Sequence, residues 1–174
     1  MSAEKDTSQQ SIVARFAALA GDARQGLPYP VFLTISALTP LINVDLLVRN
    51  NAGETLLVWR ADDFYGPGWH VPGGIVRFKE TINSRIQHVA GAEIGAKVEC
   101  DEIPIAFNEI MAKHRDTRGH FISLLYRCRL CGEPAPRLKY NGQNAVHGQW
   151  KWHASCPPDL IPQHGMYRRH LDGA

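Results

Sequence analysis

No stretch of this sequence is long and apolar enough to cross a membrane; its apolar runs fall far short of the roughly 20 residues that a spanning helix needs. The first ten residues, Met1–Gln10, are polar and charged and hold no apolar core of a secretory leader. They read as a disordered tail, and the default location is cytoplasmic. Charge of one sign is also lacking, with 19 basic residues against 17 acidic ones and a net charge of +2. The nearest approach to a basic run, Arg168, Arg169 and His170, is too short to argue for nucleic acid. Cysteine is scarce: Cys100, Cys128, Cys131 and Cys156 are all there is. The C-x-x-C of Cys128 and Cys131 sits at the end of an extended run rather than at the start of a helix. The other two lack the spacing of a second zinc pair. Incidental reduced thiols are therefore expected. There is no internal repeat and no low-complexity tract.

What is present is an ordinary globular chain of 174 residues, 44% apolar and 21% charged, enough for one domain with its own core. The division expected is a tail and helix over residues 1–30, then one domain over 31–174. Ile12, Val13, Phe16, Leu19 and Ala20 share one helical face in Ser11–Ala23, with Ser11 as a cap, and Gly26, Pro28 and Pro30 read as a linker. Leu41–Arg49 and Thr55–Arg60 read as strands joined by an Asn- and Gly-rich hairpin. A short extended piece, Trp69–Val71, enters the break Pro72-Gly73-Gly74. Thr81–Ala92 follows as a helix with Gly95 beyond its end. Ile103–Met111, Phe121–Leu130 and Trp150–His153 complete the strands, and Pro157–Ile161 starts a short helix. Strands in runs with few helices indicate an α+β layered domain.

The informative stretch runs from Gly74 to Glu80, then after seven residues from His88 to Ala96. It resembles the Nudix box, with Gly74, Glu80, Ala90, Glu93, Gly95 and Ala96 at matching positions. Pro72-Gly73-Gly74 after a short extended segment resembles the loop that precedes that box. The resemblance implies an α/β/α sandwich with a mixed central β-sheet and a helix carrying the box. Three carboxylates on one face of that helix would bind hard cations through oxygen. Here those positions hold Val89, Ala92 and Glu93, so one carboxylate remains, and His88 replaces the box arginine.

The flanks resemble the GDP-mannose mannosyl hydrolase branch: Thr39–Val48, Leu56–Arg60, Gly68-Trp69, and Val146–Trp152. That resemblance implies Mg²⁺-dependent hydrolysis of a nucleoside diphosphate sugar, with water attacking the anomeric carbon to release GDP and free sugar. It implies His147 as general base, Arg60 on the leaving diphosphate, and Asp45 as a further site residue, with Arg60 on the neighbouring strand as a candidate partner for Asp45. Mg²⁺ would be held by Glu93, a carbonyl of Gly73 or Gly74, and the substrate's own phosphates. The family's arginine after the Gly-Gly pair is Ile75 here, which leaves Arg77 as a candidate substitute. Trp69 is a candidate stacking residue in substrate binding, with Trp59, Phe64 and Tyr65 nearby. Glu109, His114, Asp116 and His120 read as a solvated loop. The resemblance suggests a homodimer. Two other readings stand beside this one. One is a pyrophosphohydrolase of another nucleoside diphosphate derivative; the other is a catalytically inactive nucleotide-binding Nudix domain.

Overall fold

The computed structural model describes residues 2–172, with side chains described from Gln9 onward. Helix α1 (Ser2–Ala20) takes in the segment read as a tail, so Ser11 lies inside the helix and caps nothing. Its first half alternates good helix formers, Ala3, Glu4, Lys5, Gln9 and Gln10, with Ser, Asp and Thr, and no Gly or Pro stops it before Gly21. From Gln9 on, α1 buries no side chain. The prolines read as a linker instead start a second helix, α2 (Tyr29–Leu38), with Pro28 as N-cap and Pro30 in the first turn. Proline costs nothing there, because the first N–H groups of a helix have no partner to lose.

The remaining elements are β1 (Leu41–Val48), β2 (Thr55–Arg60), β3 (Gly68–His70), β4 (Gly73–Ile75), α3 (Ile82–Val89), β5 (Val98–Cys100), β6 (Ala106–Met111), β7 (His120–Leu130), β8 (Trp150–His153) and α4 (Arg168–Leu171). They form two sheets rather than one. The larger is mixed, in the order β4-β1-β7-β5, with β6 also on β7. β1 and β7 run parallel, and the other pairs are antiparallel. The smaller sheet is antiparallel, in the order β3-β2-β8.

Strand β1 is the keystone, buried continuously from Val44 to Val48 as a central strand covered on both faces. Its alternation divides the core. Val44, Leu46 and Val48 join Ile86, Val89, Ala90 and Ile94 under α3. On the other face Leu47 packs with Leu57, Val71, Leu125, Leu160, Tyr167 and Leu171, so the C-terminal segment is the second cover.

The thiols depart from expectation. Cys100 and Cys128 form a disulfide between β5 and β7, leaving only Cys131 and Cys156 free among the described residues. Lys97 and Asp101 make the flanking ladder bonds, so Cys100 and Cys128 face each other at a position without backbone bonds, where the strands approach most closely. Cys131 lies three residues past Cys128, an odd step that turns it to the opposite face; the C-x-x-C is not a unit.

Candidate active site

Three elements converge on one cavity of about 160 Å³. β1 brings Asn43 and Asp45, the β3–β4 link brings His70, Val71, Gly73 and Gly74, and the C-terminal segment brings Gln163 and His164. Arg60, Tyr65 and Arg118 lie at its loop side.

Asp45 is the centre of the polar floor, and it is only 1% exposed. It occupies the β1 face that turns toward the C-terminal segment. Its Oδ1 accepts from Asn43 Nδ2 at 2.9 Å, and its Oδ2 accepts from Tyr167 Oη at 2.5 Å and from the Ser123 hydroxyl. Burial pushes its carboxyl up to about 6, against the three hydrogen bonds and the His70 ring that pull it down. Burial also raises the Tyr167 hydroxyl well above its usual range, with the Asp45 charge acting in the same direction. The glycine opposite Asp45 is required: a Cβ on Gly73 would collide with Asp45 Oδ1.

His70, which no sequence motif singles out, links the floor to the box. Its Nδ1 faces the Val58 carbonyl at 2.7 Å and its Nε2 faces Glu93 Oε2 at 3.2 Å. The ring thus bridges the β2 backbone and the one carboxylate of the box. Behind it, His164 Nδ1 accepts from Val71 N at 3.1 Å. Burial drives His164 well below its usual range, with His70 and Arg60 adding to the shift, so this ring is neutral.

The box helix is mostly packing. Val89 is 3% exposed in the core. Ala92 faces solvent, and Glu93 is the one carboxylate of the three box positions, reaching His70 of the cavity lining. Glu80 accepts from Arg77 N and from Arg85 Nε, so it ties the loop to the start of α3. Burial pushes its carboxyl up, but these partners hold it below its usual range. Among the described residues no cluster of three or more His, Cys, Asp or Glu could hold a metal ion. This donor set does not fit a multi-cation site. It fits one divalent cation at most, since one Glu93 oxygen remains outside the His70 contact. The β1–β4 register adds a carbonyl. Bonds at Leu46–Pro72 and Ile42–Val76 make Val44–Gly74 the hydrogen-bonded pair. Gly74 is therefore spent on β1, while Gly73 points its carbonyl off the edge of the sheet.

Several expected site residues lie elsewhere. Asp45 and Arg60 share the cavity but do not pair. Arg60 Nε donates to Asp62 at 2.5 Å, and Asp62 also accepts from the backbone of Phe64 and Tyr65. Arg77 turns to Gly26, where an added Cβ would meet the Arg77 Nε at 3.5 Å, and it does not line the cavity. Trp69 is buried in an edge-on aromatic cluster with Trp59, Tyr140 and His153, and it lines a second cavity rather than this one. His147 stands on the exposed loop before β8, also outside the cavity lining, with its Nδ1 accepting from Ala61 N at 3.2 Å. A neutral ring so placed carries its proton on Nε2 and has no free lone pair for water. His120 and Glu109 stand on strands β7 and β6 rather than in the loop between them, and they meet at 3.1 Å.

The family model for the NUDIX domain matches residues 39–166. The chain belongs to the Nudix family. Curated relatives include the low-salt glycan biosynthesis protein Agl8 of Haloferax volcanii, 36% identical over 72 residues, which are 41% of this chain and 46% of that protein. A MutT-like protein of Streptomyces ambofaciens is 29% identical over 91 residues, 52% of this chain and 53% of that protein. The chain thus spans about half the length of these relatives. The crystal structure of a MutT Nudix hydrolase from Burkholderia pseudomallei superposes with a TM-score of 0.56 at 20% identity, over 76% of this chain and 95% of that one. At that identity the likeness shows the fold, which is the mixed-sheet Nudix architecture. Nudix hydrolases act on small nucleotide-derived substrates and generally use a divalent metal, and among the described residues no helix is long and apolar enough to cross a membrane.

Proposed function

We propose that this Nudix hydrolase cleaves a nucleoside diphosphate sugar, in the manner of the GDP-mannose mannosyl hydrolases, with water attacking the anomeric carbon. The observation that carries the reading is the transfer of carboxylate chemistry from the helix to the sheet. The box helix offers Glu93 alone, while the cavity floor offers Asp45, a buried carboxyl held by Asn43, Ser123 and Tyr167 and pushed up to about 6 by burial. Attack at phosphorus asks for cations enough to activate water and neutralise the phosphates together. Attack at carbon asks for one base and a neutralised leaving group. The floor and the Arg60 side of the cavity match the second demand.

In this reading Asp45 takes the water proton, and the Asn43, Ser123 and Tyr167 bonds fix its orientation. His147, the base implied by resemblance, would serve only after its bond to Ala61 opens. Glu93 and the Gly73 carbonyl would hold one Mg²⁺ with the substrate's phosphates; bound there, the ion neutralises charge on the departing diphosphate. Arg60 faces that diphosphate, while Trp69 and Arg77 support the fold around it. The relation to a glycan biosynthesis protein favours a sugar nucleotide over other diphosphates. The domain that does this spans 31–174, with residues 1–30 as an appended segment, and a homodimer is the assembly the family resemblance suggests.

Hydrolysis of GDP-mannose with Mg²⁺ in ¹⁸O-labelled water tests the reading. Label in the free sugar with unlabelled GDP is the expected result. Label in a phosphate product would replace it with the pyrophosphohydrolase reading, and no turnover of any nucleoside diphosphate sugar with the inactive binding domain.

A further inference from the structure

The cavity carries a cation that none of the site's carboxylates answers. Arg118, on the loop between β6 and β7, lines it. Among the described residues it forms no ion pair: the ionic contacts are Arg24–Asp22, Arg60–Asp62, His70–Glu93, Arg85–Glu80 and His120–Glu109. Arg60, the other arginine of the lining, is already matched by Asp62.

Arg118 is also fixed in place. Its backbone sits at φ 52, a left-handed conformation uncommon for a side-chain-bearing residue. Two contacts from separate elements hold that backbone. Its N–H donates to Ser36 Oγ of α2 at 3.0 Å, and its carbonyl accepts from Tyr65 Oη at 3.2 Å. The guanidinium lies 4.1 Å from the centre of the Phe64 ring, with the Tyr65 and Phe32 rings within 6 Å. Arg115 braces the same platform from below. It stands 4.6 Å over Tyr65 and donates to the Phe64 carbonyl at 2.6 Å.

A fixed guanidinium costs most where water is removed and no acceptor replaces it. Arg118 Nε is in that position, buried with no hydrogen-bond partner. A second lining residue shows the opposite deficit: Gln163 Oε1 is a buried acceptor with no donor. The lining of one cavity thus includes both an unanswered cation and an unanswered acceptor. A phosphoryl group next to a hydroxylated sugar supplies both missing partners.

We infer that Arg118 is the principal anion anchor of this cavity, binding the phosphoryl oxygens of the ligand, with Gln163 receiving a hydroxyl beside them. The role falls to Arg118 rather than Arg77, whose side chain is turned to Gly26. The inference deepens the sugar-nucleotide reading in ligand class, but it stands on anion binding and requires no turnover.

Calorimetric titration of the full chain with inorganic pyrophosphate is the test. Wild type and Arg77→Gln are expected to bind alike, and Arg118→Gln to bind at least tenfold more weakly with an unchanged melting temperature. Equal binding by a folded Arg118→Gln, or no binding by wild type at millimolar pyrophosphate, would overturn the assignment. Should Arg118→Gln fail to fold, the guanidinium N–H resonances of the wild type decide. The Arg118 Nε–H signal is expected to shift on adding pyrophosphate, and a static signal overturns the proposal. Failure of hydrolysis with retained, Arg118-dependent pyrophosphate binding would remove the catalytic reading and leave this one.

Discussion

The box helix and the floor of the cavity lie on opposite faces of the same strand, β1, and they differ in where their polar side chains stand. On the α3 face, positions that resemblance assigns to carboxylates hold Val89, which is core, and Ala92, which is bare surface. On the other face, where a strand in a two-sided core is expected to be apolar, Asn43, Asp45 and Ser123 build a closed polar network with Tyr167. The strand-loop-helix frame survives because it rests on packing and on the Gly73–Asp45 approach.

The largest expected effect separates the floor from the late loop. Asp45→Asn should lower kcat by roughly a hundredfold to ten-thousandfold with little change in KM, while His147→Ala stays within several-fold of wild type. Steady-state kinetics with the preferred sugar nucleotide reads both, and a greater loss in His147→Ala would return the base to the loop.

The next prediction loosens the bed of α3 and leaves the floor alone. Cys128 packs in the core beneath that helix, and its bond to Cys100 closes 28 residues. Loop-closure entropy sets the loss on replacing both by serine at about 3 to 4 kcal/mol, measured by urea unfolding. Unfolding midpoints equal to wild type in both redox conditions would show that the disulfide does not form.

A third prediction uses the proton of Asp45. Its folded pKa, raised to about 6 from the ordinary 3.8, makes its contribution to stability complete below about pH 4 and lost as pH rises through 6. The difference corresponds to about 3 kcal/mol. Asp45→Asn should remove that slope between pH 4 and 6, and an unaltered stability profile would place the titration elsewhere.

The smallest effect belongs to the helix itself. Glu93→Gln should weaken divalent-cation binding by about tenfold, roughly 1.4 kcal/mol, without changing the fold. Unchanged cation affinity would mean that Glu93 serves only as the partner of His70.

The sequence alone determined the frame. Periodicity placed strands β1 and β2, although they enter different sheets and meet only at the Arg49–Thr55 bridge rather than as a hairpin, and Thr81, predicted at the start of the helix, caps α3 by accepting from Ser84 N. The glycine-rich break and box spacing placed the β3–β4 turn and the start of α3, because these signals are local and repeat every two or three to four residues. The odd placement of Asp45 in an apolar run was visible too, as a carboxyl that must be answered. What answers it was not: Ser123 and Tyr167 lie 78 and 122 residues away, and no local pattern joins them to Asp45. The same holds for the Cys100–Cys128 pairing, which is set by the β5–β7 register. Side-chain direction was equally hidden. Whether Arg60 reaches Asp45 or Asp62, whether Arg77 or Arg118 faces the cavity, and whether Trp69 is platform or core depend on which neighbour the packed chain brings within about 3 to 5 Å, and only the tertiary structure decides that.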